Sequence, residues 1–98
     1  MICKIHKAYR YVVAICDKGL LGKKFGEGKK VLEITKDFYE GDIINEQEAI
    51  KIIQDMSQED ATFNVVGEKS VNVALKCGLI KKQGIKKVEG VPFALVLL

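Results

Sequence analysis

The chain has 98 residues, 48% of them hydrophobic and 30% charged, with one Pro and no Trp. That length suits one domain, residues 1–98, with a single core, and the composition excludes a disordered or low-complexity chain. The net charge is only +3, and no apolar run approaches the ~20 residues of a membrane span.

Residues 1–5 alternate weakly, with Met1, Cys3 and Ile5 on one side. Residues 9–16 are rich in β-branched and aromatic side chains and apolar on both faces from Val12 on. They predict a strand in the interior of a sheet. A reversal near Lys7 and Ala8 joins the two segments as a hairpin. Residues 20–30 set three Gly and four Lys around Phe25, the composition of a turn-rich loop. Residues 31–35 alternate as a half-buried strand, with Leu32 and Ile34 inward. Residues 37–41 form a loop carrying Phe38 and Tyr39.

Asn45 opens the clearest helix, because Glu48 three residues on completes a capping box and Ile44 with Ala49 supplies a hydrophobic staple. Ala49, Ile52, Ile53 and Met56 form its buried stripe, widened by Ile50, and it ends within residues 57–60. Residues 63–66 are a short buried strand. Gly67 breaks it, and residues 68–77 form a second helix stopped by Gly78, with Val71, Ala74, Leu75 and Gly78 on one face. Residues 81–84 are a basic turn, residues 85–89 a short strand near an edge, and Gly90-Val91-Pro92 a bend or bulge. Residues 93–98 are a closing strand suited to the middle of a sheet. The fold class is α+β or α/β: a single mixed sheet of about five to six strands with two main helices packed on it.

The small net charge hides segregation. Residues 18–36 carry six Lys against Glu27 and Glu33, residues 37–60 eight acids against Lys51, and residues 68–87 six Lys against Glu68. A basic side and an acidic side result if the two Lys-rich segments meet in the fold. Gly22, Gly26 and Gly28 beside Lys23, Lys24, Lys29 and Lys30 are the materials of a phosphate cradle, but their spacing matches neither GxxxxGK[ST] nor GxGxxG. A basic loop gripping RNA phosphates fits better, with Phe25 stacking on a base and Lys69, Lys81, Lys82, Lys86 and Lys87 extending the surface. The plainer alternative tucks Phe25 into the core and leaves the lysines as a solvated face.

Asn64, Gly67 and Ser70 mark a second candidate, an anion site at the start of the second helix, although Glu68 opposes it. Cys16 at a strand end is a candidate nucleophile if His6 lies beside it; the plainer reading is a buried core thiol. Asp37, Glu40 and Asp42 are an acidic loop more simply read as solvated charge than as a Mg²⁺ site. No structural metal set and no cofactor is expected. Three cysteines with no CxxC pair, and an N-terminus charged within ten residues, imply reduced thiols in a cytoplasmic protein without a signal peptide. Sheet edges and the aromatic residues Tyr9, Tyr11, Phe38 and Tyr39 allow a homodimer or a protein partner.

Cys16-Asp17, Leu20-Leu21-Gly22-Lys23, Phe38-Tyr39-Glu40-Gly41, Asn64-Val65-Val66-Gly67-Glu68 and Gly90-Val91-Pro92 follow one another along nearly the whole chain. In that order they resemble a small archaeal family, domain of unknown function 424. The resemblance implies a cytoplasmic archaeal protein and brings no reaction with it. The family pattern often has His after Gly-Val-Pro. Phe93 stands there in this chain, which argues against a site centred on that imidazole. The function these readings favour is a non-catalytic basic module for RNA or a ribonucleoprotein, with a protein-interaction module and a small enzyme as alternatives.

Overall fold

The structure is a computed structural model, and it describes residues 1–97. Its elements run β1 (Ile2–Lys7), β2 (Tyr11–Cys16), β3 (Lys24–Glu27), β4 (Lys30–Glu33), α1 (Lys36–Tyr39), β5 (Asp42–Ile43), α2 (Glu46–Gln58), β6 (Thr62–Val66), α3 (Glu68–Lys76), β7 (Lys86–Val88) and β8 (Val91–Val96). Six strands form a mixed sheet in the order β5-β1-β2-β6-β8-β7, and β3 with β4 makes a separate two-stranded ribbon. The expected α+β sheet with two main helices is what forms. The last residue of the expected closing strand, Leu98, lies outside the described residues.

From Val13 to Cys16, β2 is buried on both faces, which is why it reads as a continuous apolar run. Its pleat sends Cys3, Val13, Ile15, Phe63, Val65 and Ala94 to one side, where they pack with Ala49, Ile53, Val71 and Ala74 of α2 and α3. Ile2, Ala14, Cys16, Val66 and Val88 point the other way and meet Leu32, Ile34 and Tyr39. The result is three layers: helices, sheet, then the β3–β4 ribbon with α1.

Within the sheet, β2 and β6 run parallel, with Cys16 opposite Val66. The other neighbours are antiparallel, and β1 with β2 forms the expected hairpin. The capping box is present in full: Glu48 N–H donates to Asn45 Oδ1 at 2.8 Å and Asn45 N–H donates to Glu48 Oε1 at 3.0 Å. β8 occupies an interior position and β7 an edge, as expected.

Four details differ from the sequence reading. The Gly/Lys loop is a hairpin, because Lys24 to Glu27 pair with β4 around a turn in which Gly28 takes φ +62°. The acidic loop contains one helical turn, whose Tyr39 is buried. Ile5 is 43% exposed because the helical layer does not reach it. The bend at Gly90-Val91-Pro92 is instead a two-residue hairpin turn, with Glu89 at φ +51° and Gly90 at φ +79°. Positive φ at both central residues is the turn that matches strand twist.

Candidate functional site

The parallel strands β2 and β6 end side by side, and in open sheets such ends are where ligands gather. Here the chain fills that place itself. Asp17, just past β2, turns its carboxylate onto the start of α3. Its Oδ2 accepts from Lys69 N–H at 3.1 Å, and its Oδ1 accepts from Ser70 N–H at 2.8 Å and from the Ser70 hydroxyl at 2.7 Å. Free helix-start N–H groups attract anions, and a tethered carboxylate already holds these. The anion site expected from Asn64, Gly67 and Ser70 is therefore occupied from within. Ser70 is 1% exposed and serves the Asp17 knot, and Gly67, at φ +106°, leaves room for it. Asn64 belongs to a different surface, the ribbon side of β6.

The thiol reading also fails on geometry. Cys16 pairs with Ile2 and His6 with Val12, so four residues of strand, ~13 Å, separate them. His6 is held elsewhere: its ring stacks on Phe38 at 4.8 Å and its Nε2 donates to the Phe38 carbonyl at 2.8 Å. Cys16 is fully buried. Burial, then the neighbouring Asp17 charge, pushes its thiol up to about 11 despite a lowering effect of the N-terminus. A thiol in that state supplies no nucleophile at neutral pH. Among the described residues no group of three or more His, Cys, Asp or Glu side chains could hold a metal ion, and no helix is long and apolar enough to cross a membrane.

The lysines divide into three places. Lys23, Lys24, Lys29 and Lys30 all lie exposed on or beside the β3–β4 ribbon. The ribbon packs on the sheet face opposite α2, so it is turned away from Glu46, Glu48 and Asp55. Lys24 stands 3.9 Å from Glu33 across the ribbon, both side chains well solvated, a geometry worth little. The ribbon also packs against β7. Lys86 shares the ribbon-side face with Val88, while Lys87, one residue on, points to the helix side. There Lys87 joins Lys69 in a groove with Glu68 and Asn72. Lys81 and Lys82 precede β7, at its far end from the β7–β8 turn, and do not join the ribbon. Phe25 is half-buried against the ribbon-side core, the plainer of its two readings.

Two acids fix the ribbon in place. Glu89 N–H donates to Glu27 Oε1 and Gly26 N–H donates to Glu89 Oε2, both at 2.7 Å. This clasp ties the ribbon to the β7–β8 turn. Sequence reasoning missed Lys36, whose side chain lies against Gly22, beside Lys23. The signal was available, since Lys36 belongs to the same Lys-rich segment.

The family described as "Protein of unknown function (DUF424)" matches residues 6–98. A solved structure, that of an uncharacterized conserved protein from Methanopyrus kandleri, is similar over 98% of this chain and 90% of that chain, at 29% identity and a TM-score of 0.83. None of the curated proteins matches the sequence.

Proposed function

This chain belongs to the DUF424 family of proteins of unknown function, and we propose that it is a non-catalytic module binding RNA, alone or in a ribonucleoprotein, through the β3–β4 ribbon. Lys23, Lys24, Lys29 and Lys30 contact phosphates, with Lys36 and Lys86 alongside. The observation that carries this reading is that four exposed lysines gather on or beside one ribbon, where they outnumber Glu27 and Glu33, on the sheet face opposite the acid-rich α2. Among the described residues only Lys24 of these six stands within ion-pair distance of a carboxylate. Lys69 and Lys87 on the helix side, and Lys81 and Lys82 beyond the edge strand, are peripheral to this surface.

Fluorescence anisotropy with labelled single-stranded RNA across a salt series tests it. Each phosphate neutralised on a single strand contributes about 0.7 to the slope of log affinity against log salt. The double substitution Lys29→Glu, Lys30→Glu should lower that slope by about 1.4, and Lys51→Glu on the acidic face should leave it unchanged. Binding that ignores both salt and the ribbon substitutions refutes the proposal.

A second reading has one specific observation behind it. Leu95 and Leu97 are 57% and 72% exposed, which suits a protein partner or a second copy. Light scattering and a pull-down address it: a strict monomer that captures nothing counts against it.

A further inference from the structure

Beside the ribbon, the sheet carries an open cleft of about 320 Å³, at the lower end of the range for small-ligand sites. Val31, Glu33 and Thr35 form one wall, Phe38 stands at the α1 end, and Asn64, Phe93 and Leu95 make the floor. Asn64 lies in the middle of the sheet, between Ala14 of β2 and Leu95 of β8. Its side chain is half-buried. No hydrogen bond joins its side-chain amide to another described residue. Since no buried side-chain polar atom lacks a partner, that amide is open to the cleft.

We infer that this cleft holds one unpaired nucleobase of an RNA whose phosphates lie on the ribbon lysines. The inference rests on the RNA reading above and adds the mode of recognition. An amide offers a donor and an acceptor side by side, the pattern that meets a base edge. Phe38, Phe93 and the exposed Leu95 give the apolar surface that a base, and not a phosphate, seeks. The ribbon supplies the reach: Lys24 stands 3.9 Å from Glu33 of the cleft wall, so a strand held at Lys24 stands next to the opening. The recognised form is single-stranded, because a paired base cannot enter.

The test compares wild-type affinity for an RNA oligomer, for an abasic oligomer of equal length and for heparin, at one salt concentration. RNA should bind about tenfold tighter than the abasic oligomer, the order of one stacked base. Asn64→Ala and, independently, Leu95→Ala at an exposed position should remove most of that difference while leaving abasic and heparin binding unchanged. Thermal melts establish that both variants fold. In ¹⁵N-correlated NMR spectra, the Asn64 side-chain amide should shift with RNA and not with the abasic oligomer. Equal binding of RNA and abasic oligomer overturns the base cleft and leaves the polyanion surface standing. Selectivity that survives both substitutions also overturns it, as does a dimer in light scattering that closes the cleft. No binding of any polyanion overturns both readings.

Discussion

Asp17→Ala is the substitution on which the architecture of the sheet end turns. The change removes the acceptor for two helix-start amides and one hydroxyl. The Lys69 amide is at the surface, and water replaces its partner at ~0.5 kcal/mol, the low end for a lost cap. Ser70 is dry, so its N–H and hydroxyl each forfeit a charge-assisted bond and are left buried, at ~1–2 kcal/mol apiece. Losing the negative charge at the helix start adds ~0.5 kcal/mol. The total is about 3–5 kcal/mol, a large share of the ~5–15 kcal/mol typical of a domain. Urea unfolding followed by far-UV circular dichroism measures it, and Tm should fall by ~12 °C or more.

Two companion variants isolate the cause. Ser70→Ala alone should cost ~1 kcal/mol, and the double variant should fall short of the sum by ~1 kcal/mol because the two residues share a bond. At Gly67 a methyl would overlap the Asp17 carboxylate and sit at φ +106°. Gly67→Ala should therefore cost less in the Asp17→Ala background than in the wild type. A loss under ~1 kcal/mol for Asp17→Ala, or strict additivity with Ser70→Ala, would refute the knot as a stabilising unit.

The thiols give a pH window. Burial leads the causes that hold Cys3 and Cys16 at about 11, against 9.0 for an ordinary thiol. The unfolded chain releases these protons first as pH rises, so stability is complete below about pH 9 and declines between about 9 and 11, by at most ~1.4 kcal/mol per pH unit for each thiol. Iodoacetamide on the native protein should label the half-buried Cys77 and spare the two buried thiols; mass spectrometry showing Cys16 modified as fast as Cys77 would restore the thiol reading. Gly41→Ala places a methyl on the Cys3 carbonyl oxygen, an overpacked contact worth ~1–3 kcal/mol. Amide exchange at Ile44, whose N–H donates to Met1 at 2.9 Å, should accelerate there. Glu89→Ala removes the acceptor for Gly26 N–H, and exchange at Gly26 should rise about fivefold, the equivalent of ~1 kcal/mol; unchanged exchange would mean the clasp does not hold the ribbon.

What was legible in the sequence was what neighbours in the chain decide. Asn45 and Glu48 cap α2 three residues apart, and β2 announces its interior position by being apolar on both faces. The ribbon strand β3 was not legible. Its four residues include Gly26 and two charges, with no apolar alternation to count, and it is held by β4 and by Glu89, 62 residues away. The role of Asp17 was not legible either, because its partner Ser70 is 53 residues on. Two errors were avoidable. Ser70 sits one turn before Ala74 on α3, so its burial beside the apolar stripe followed from helical spacing. Lys86 and Lys87 were grouped as one patch, yet consecutive strand residues face opposite ways.

Three carboxylates near the end of the sheet share one chemical task. Asp17, Glu27 and Glu89 each accept backbone N–H groups. Most of the motifs that carry the family resemblance fold to this end, where Asp17, Leu20, Gly67, Glu68, Lys69, Gly90, Val91 and Pro92 line a single hollow. Its Gly67, Lys69 and Ser70 amides are satisfied internally, and the hollow sets the carboxylates of Asp17 and Glu68 against the single cation of Lys69. The same bonds fix where the ribbon lies, because Glu27 and Glu89 tie it to the β7–β8 turn. An end that looks like a binding site by its glycines and acids is thus a fastening. The surface it fastens, with exposed lysines on one side and the Asn64 cleft on the other, is the one that the RNA proposal concerns.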